Sequence, residues 1–135
     1  MTTILVDSNV HLDLITEDSV WFSWSSDAIE RCMDTATLAI NPIIYAEVST
    51  RFGSIEELEA ALPRTAITRL DLPWEAAFLA AKCFVEYRRR GGLLRSPMPD
   101  FYIGAHAAVS GLTLLTRDAT RYRTYFPALK IIAPN

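Results

Sequence analysis

At 135 residues, half of them hydrophobic and 21% charged, the chain is sized for one domain with a sizeable core and is too apolar for a disordered tail. No apolar run approaches the roughly 18–20 residues that cross a bilayer, and no basic leader precedes the apolar run beginning at Ile4, so the expected location is the cytosol. A net charge of −3 argues against a protein that wraps nucleic acid through bulk positive charge, while leaving room for local patches such as Arg88, Arg89, Arg90 and Arg95, or Arg117, Arg121 and Arg123.

In chain order, Ile4–Val6 reads as a short strand and Val10–Ile15 as a helix. A longer helix is expected from about Ser19 to Met33, carrying Trp21, Phe22, Trp24, Ile29 and Met33. Thr37–Ile40 reads as the second strand. Asn41-Pro42 then offers an N-cap followed by a proline at the first helical position, so a helix should run to about Phe52 and stop at Gly53. Ser54 and Glu57 have capping-box spacing, which starts another helix that ends at Leu62 before Pro63. Ala66–Leu70 reads as the third strand. Pro73 starts a long helix to about Arg90, with Trp74, Ala77, Phe78, Ala81 and Val85 at helical spacing, terminated by Gly91-Gly92. Leu93–Pro99 is a loop. A helix from Pro99 or Asp100 to Ser110 is stopped by Gly111, and Leu112–Leu115 follows as the fourth strand. A short helix near Asp118–Tyr122 and a fifth strand at Lys130–Ile132 complete the chain. Strands alternating with helices in short apolar runs mean an α/β fold, a parallel sheet with helices on both faces, in a single domain over residues 1–135.

In open sheets of this kind ligands bind beyond the carboxyl ends of the strands, where the strand order reverses. Asp7 directly follows Ile4-Leu5-Val6, and Asp118 follows Leu112–Leu115 through Thr116-Arg117. If those strands are neighbours, the two carboxylates lie side by side. Glu47 sits one helical turn beyond Ile43 and beside Ile44 and Val48, on or next to an inward face. Asp100 opens its helix, sharing a face with Ile103, Gly104 and Ala107, and Gly104 allows that helix a close approach to its neighbour. Each acid alone has a structural explanation: Asp7, Asp100 and Asp118 as helix-start residues, Glu47 as the partner of an arginine. Together they do not. Carboxylates ~4 Å apart repel by on the order of 4 kcal/mol per pair at an effective dielectric near 20. Such a cluster calls for a cation or for protonation of some of its members. With no His or Cys among the candidates, all-oxygen ligation suits Mg²⁺ or Mn²⁺, one ion or two, which can activate water and stabilise a leaving oxygen in phosphodiester hydrolysis.

Ile4-Leu5-Val6-Asp7-Ser8-Asn9-Val10, Asn41-Pro42-Ile43-Ile44-Tyr45-Ala46-Glu47-Val48, Met98-Pro99-Asp100-Phe101-Tyr102-Ile103-Gly104-Ala105-His106-Ala107 and Leu114-Leu115-Thr116-Arg117-Asp118, with Tyr122 and Tyr125-Phe126-Pro127 behind, follow one another along the whole chain. In these blocks the sequence resembles the PIN domain and, within it, the VapC-type toxins of toxin–antitoxin pairs. The resemblance implies a five-stranded parallel sheet and a Mg²⁺- or Mn²⁺-dependent endoribonuclease whose acidic quartet is Asp7, Glu47, Asp100 and Asp118. Asp7 and Asp100 are the expected direct metal ligands, with Asp118 and Glu47 completing the shell. Thr116 and Asn9 match supporting polar positions, and Ser8 replaces a threonine common there while keeping the hydroxyl. The resemblance further implies a cognate antitoxin that blocks the pocket, and a homodimer.

His11 reads as a partly buried structural histidine, His106, six residues past Asp100, points to another face, and Cys32 and Cys83 read as buried free thiols. Trp21, Phe22 and Trp24 cannot all face one core stripe, so this segment is either ordinary packing or part of a groove for an antitoxin helix. Three other readings compete. One is a PIN-like module that binds RNA or a partner without catalysis, which the intact quartet opposes. A haloacid-dehalogenase or receiver-type domain would need acids or a lysine that are absent at the matching positions; where the first wants a second aspartate, the chain has Asn9. A DNA-directed nuclease stays open, because no visible residue reads a 2′-hydroxyl.

Overall fold

The computed structural model describes residues 2–135. Its strands are β1 (Thr2–Val6), β2 (Ala36–Ile40), β3 (Thr68–Arg69), β4 (Thr113–Leu115) and β5 (Ile131–Ile132). Its helices are α1 (Ser8–Ile15), α2 (Phe22–Thr35), α3 (Pro42–Ser49), α4 (Ile55–Ala61), α5 (Trp74–Arg89), α6 (Pro99–Ser110) and α7 (Thr120–Tyr125). The strands form one five-stranded parallel sheet in the order β3-β2-β1-β4-β5. The winding therefore reverses at β1, which lies between β2 and β4 with Ile4 opposite Leu38 on one side and Thr113 on the other. That reversal opens a crevice at the carboxyl ends of β1 and β4.

The period-2 alternation of strands distributes the core over both faces. Leu5, Ala39 and Leu114 point to the larger cluster, with Ile44, Val48, Ala76, Ala80, Phe101, Ile103 and Tyr122 from the helices covering that face. Ile4, Val6, Leu38 and Leu115 point the other way, onto Val10, Ala28 and Cys32 of α1 and α2. Both cysteines are buried and free. Gly104 is where α6 passes under Phe126; a Cβ there would sit 2.4 Å from the ring, so the close approach requires glycine. Gly111 ends α6 in a left-handed conformation, φ 65°, that glycine adopts without steric cost.

Several boundaries differ from the sequence expectation. The third strand shrinks from Ala66–Leu70 to Thr68–Arg69 because the amides of Ala66 and Ile67 both turn back to the Pro63 carbonyl at 3.2 Å. The second helix begins at Phe22 rather than Ser19, since the Asp18 carboxylate accepts from the amides of Val20 and Trp21 at 2.9 Å and holds that stretch as a turn. α3 stops at Ser49, and residues 50–52 close as tight turns onto Glu47, Val48 and Ser49. The last helix starts at Thr120 and reaches Tyr125.

The long helix forms where its periodicity places it, but its apolar stripe faces water. Trp74 is 89% exposed, Phe78 65% and Val85 51%, while the small residues Ala76, Ala80 and Cys83 face the core. Of the three aromatic residues in the second helical region, Phe22 is exposed, Trp24 packs against the smaller core cluster, and Trp21 sits edge-on to Trp24 at 6.3 Å beneath the Arg117 guanidinium. Among the described residues no helix is long and apolar enough to cross a membrane.

Candidate metal centre

Asp7 is placed by the sheet. Its amide donates to the Leu115 carbonyl at 2.9 Å, extending the Val6–Leu115 register by one step and setting the residue at the reversal point. Its Oδ1 accepts from the Ser8 amide at 2.7 Å and so caps α1. Oδ2 accepts from the Thr116 hydroxyl and from the Tyr122 hydroxyl, both at 2.9 Å, with the Asn9 amide nitrogen at 3.5 Å. The capping role and the site role are thus filled by one carboxylate. Burial pushes its pKa above the ordinary range. The bond from Thr116 opposes this, the charge of Asp100 adds to it, and the bonds from Tyr122 and Ser8 oppose it again.

Glu47 reaches the same point from α3. The Ser8 hydroxyl donates to its Oε1 at 2.9 Å, so Ser8 ties two acids together, one through its amide and one through its side chain. Burial raises the Glu47 pKa, the Ser8 bond lowers it, and the charges of Asp7 and Asp100 raise it further. Asp100 enters in the first turn of α6. Its Oδ2 accepts from Arg121 at 3.3 Å, and its Oδ1 lies 3.4 Å from the Tyr122 hydroxyl. That hydroxyl carries one proton between two carboxylates, and the shorter distance assigns it to Asp7. Burial and then the charge of Asp7 push the Tyr122 phenol well above its usual range.

The structure therefore brings Asp7, Glu47 and Asp100 within electrostatic reach of one another. Asp118 stands at the rim. It is exposed, its Oδ1 accepts from the Thr120 amide at 3.4 Å, and this holds the carboxylate against the start of α7. Its link to the interior is Thr116, whose hydroxyl accepts from the Asp118 amide at 3.2 Å while donating to Asp7. Asn9 joins the same chain, donating to Thr116 at 3.2 Å and accepting from the Arg117 amide at 3.1 Å. Behind it, Arg117 makes a two-point ion pair with the buried Asp13 at 2.9 and 3.0 Å, and Ser25 donates to Asp13 at 2.7 Å. The exit of β4 is thereby fastened to α1 and α2.

Three of these residues carry weight that the sequence did not disclose. Tyr122 stands in the sequence behind the last of the four blocks with no role attached, and only the structure shows its hydroxyl between Asp7 and Asp100. Arg121 belongs to an arginine cluster that looks solvated, yet it pairs with Asp100. Asp13 lies in α1, the helix that Asp7 caps, and nothing local predicts Arg117 as its partner. The other cluster is occupied near home: Arg88 donates to the Leu93 and Leu94 carbonyls, and Arg89 and Arg90 pair with Glu86. Both histidines are structural. His11 is buried with Nε2 3.2 Å from the Val6 carbonyl, and His106 contacts Asn41 at 3.0 Å behind the cap of α3.

Among the described residues no three His, Cys, Asp or Glu side chains are already disposed around a common metal position. Each acid is held by a neighbour instead: Asp7 by Thr116 and Tyr122, Glu47 by Ser8, Asp100 by Arg121. The donor set nevertheless suits a hard divalent cation. It is oxygen only, and after burial the charge of Asp100 adds to the upward shift of both Asp7 and Glu47, so negative charge gathers there that a cation would offset.

The sequence pattern of the PIN domain family matches residues 4–127. No curated protein matches the sequence. Among solved structures, the chain is similar to one from VapBC2 of Rickettsia felis bound to a promoter DNA fragment, with TM-score 0.75 and 17% identity over 99% of this chain and 100% of that one. It is also similar to a chain of VapBC-1 from nontypeable Haemophilus influenzae, TM-score 0.72 and 15% identity over 98% of both chains. A chain of a toxin–antitoxin complex from Klebsiella pneumoniae gives TM-score 0.69 and 21% identity over 98% of both. At these identities the likeness is one of fold.

Proposed function

The chain belongs to the PIN domain family, and from that premise we propose that it is a Mg²⁺- or Mn²⁺-dependent endoribonuclease, the toxin of a type II toxin–antitoxin pair. The observation that supports this reading most is the meeting of Asp7, Glu47 and Asp100, from three separate elements, at the reversal point of the sheet. Asp7 and Asp100 are the proposed direct ligands, and Glu47 and Asp118 complete the shell. A divalent ion there supplies Lewis-acid stabilisation of the phosphodiester and activation of a water. The chain's own residues do the rest. Ser8, Thr116 and Tyr122 fix the carboxylates by hydrogen bonds. Glu47 is the proposed group that takes the proton of the attacking water, since it is only half-buried and burial holds its pKa up. Asn9 and Thr116 orient the end of β4 beside Asp7.

For the partners, the apolar residues left in water are the supporting fact. Val20 and Phe22 before and at the start of α2, and Trp74, Phe78 and Val85 along α5, form surface of the kind that a partner helix or a second copy covers. A cognate antitoxin and a homodimer are the proposed occupants, and the cytosol the proposed location. The test is cleavage of end-labelled RNA, and of DNA of the same sequence, by the protein and by Asp100→Asn in Mn²⁺, Mg²⁺ and EDTA. Metal-dependent cleavage of RNA that disappears in the variant supports the reading. Cleavage of neither nucleic acid favours a binding module without catalysis.

A further inference from the structure

Past the Thr116 amide, which still bonds to the Ile132 carbonyl at 3.0 Å, the chain leaves the sheet and enters α7 only at Thr120. Asp118 lies in that irregular stretch, exposed to water. A carboxylate on such a segment must be ordered before it can serve a metal, and ordering a free segment costs conformational entropy. The residue before it removes much of that freedom in advance. The Arg117 side chain reaches back to α1, where Nε and Nη2 meet the two oxygens of Asp13 at 2.9 and 3.0 Å. Asp13 is 2% exposed and is itself held by the Ser25 hydroxyl of α2 at 2.7 Å. The guanidinium lies 5.5 Å over the half-buried Trp21 ring, and the Arg117 amide donates to Asn9 at 3.1 Å. One residue of the loop is thus gripped at its backbone and along its side chain.

As a stability device such a pair is poor, because desolvating a buried carboxylate and a guanidinium largely offsets their attraction. Its two-point geometry does something that packing does not: it fixes direction as well as distance. What it fixes is the path of the chain between Thr116 and Asp118. Thr116 has its own bond to the sheet, so Asp118 is the residue that depends on the grip. The Arg117 charge also reaches Asp118. The bond to Asp13 raises the Arg117 pKa, burial opposes this, and the charges of Asp13, Asp18 and Asp118 add to the rise. Resting on the metal-dependent nuclease reading above, we propose that Arg117 is a positioning residue of the metal site. Clamped by Asp13 and Trp21, it holds the Asp118 carboxylate where a divalent ion bound by Asp7 and Asp100 can use it. The buried Asp13 is the far end of that clamp and touches no metal.

Arg117→Met would leave Asp13 charged and buried with Ser25 alone, a change that endangers the fold, so two milder variants carry the test. Arg117→Lys keeps the charge beside Asp118 and gives up the two-point fork. Asp13→Asn keeps Arg117 and removes the charge that holds it. Each is made alone and together with Asp118→Asn, and Mn²⁺ affinity is measured by calorimetry beside the urea unfolding midpoint. Arg117→Lys and Asp13→Asn should each weaken Mn²⁺ binding about threefold, short of the roughly tenfold that loss of an outer-shell partner costs. Combined with Asp118→Asn, neither should weaken binding beyond what Asp118→Asn does alone, because both act through the same carboxylate. The unfolding midpoint should fall alike in both backgrounds, which separates positioning from stability. Unchanged affinity in Arg117→Lys and Asp13→Asn, or losses undiminished in the Asp118→Asn background, overturn the positioning role and leave the metal site standing. Failure of the unaltered protein to bind Mn²⁺ overturns both.

Discussion

The Thr116 hydroxyl donates to Asp7 Oδ2 across 2.9 Å and joins the carboxyl ends of β4 and β1 at the point where the sheet reverses. Because both residues are buried, this bond cannot be replaced by water at low cost. Thr116→Val keeps the shape and removes the donor. We expect it to lower stability in metal-free buffer by about 2 kcal/mol, the usual range for a buried bond to a charged group, read by urea unfolding. An unfolding midpoint equal to that of the unaltered protein would show that the bond carries no load.

The Tyr122 hydroxyl stands between Asp7 and Asp100. Tyr122→Phe leaves the ring in the core and takes away the proton that the two carboxylates share. In EDTA the variant should be less stable by roughly 1–2 kcal/mol. With Mn²⁺ added the gap should narrow, because a cation compensates the same charge. A gap of equal size in EDTA and Mn²⁺ would mean that Tyr122 packs but does not serve the acids.

His11 gives the fold an acid sensitivity. Burial lowers its pKa to about 4, from an ordinary value of 6.5. A folded pKa below the unfolded one means that the unfolded chain binds the proton first. The stabilisation from a neutral His11 is complete above about pH 6.5 and is lost as the pH falls toward 4, on the order of 3 kcal/mol in all. His106, whose pKa burial also lowers, acts in the same direction, whereas the raised Asp7 and Glu47 act in the opposite one. Comparison with His11→Gln cancels those other groups: unfolding free energies of the two proteins should converge as the pH drops from 6.5 to 4. Parallel pH curves would contradict a buried neutral His11.

Much of this arrangement is legible in the sequence because strand ends are legible. Ile4-Leu5-Val6 and Leu112–Leu115 announce two strands, so Asp7 and Thr116-Arg117-Asp118 fall at their carboxyl ends, and the α/β class is what the structure shows; that β1 and β4 are neighbours, a condition the sequence leaves open, comes from the sheet itself. Asn41-Pro42 likewise locates the start of α3 and with it Glu47. Side-chain direction was less accessible. The α5 periodicity gives the helix but not which side of it faces the core, and Ala76, Ala80 and Cys83 pack inward while Trp74 and Phe78 do not. Asp118 follows its strand as expected, yet the bond from the Thr120 amide turns its carboxylate to the rim. Tyr122 and the Asp13–Arg117 pair depend on contacts more than a hundred residues apart in sequence (Tyr122 to Asp7, Arg117 to Asp13), which no local pattern encodes.

Asp7, Glu47 and Asp100 are proposed to form one divalent-cation site. Calorimetric titration of Mn²⁺ into the metal-free protein, and into Asp7→Asn, Asp100→Asn, Glu47→Gln and Asp118→Asn, tests it directly. Expected are saturable binding to the unaltered protein, affinity reduced about tenfold or more by Asp7→Asn and by Asp100→Asn, at least what loss of an outer-shell partner costs, and a smaller loss for Asp118→Asn at the rim. Absence of binding to the unaltered protein, or equal affinity in all five, would contradict it.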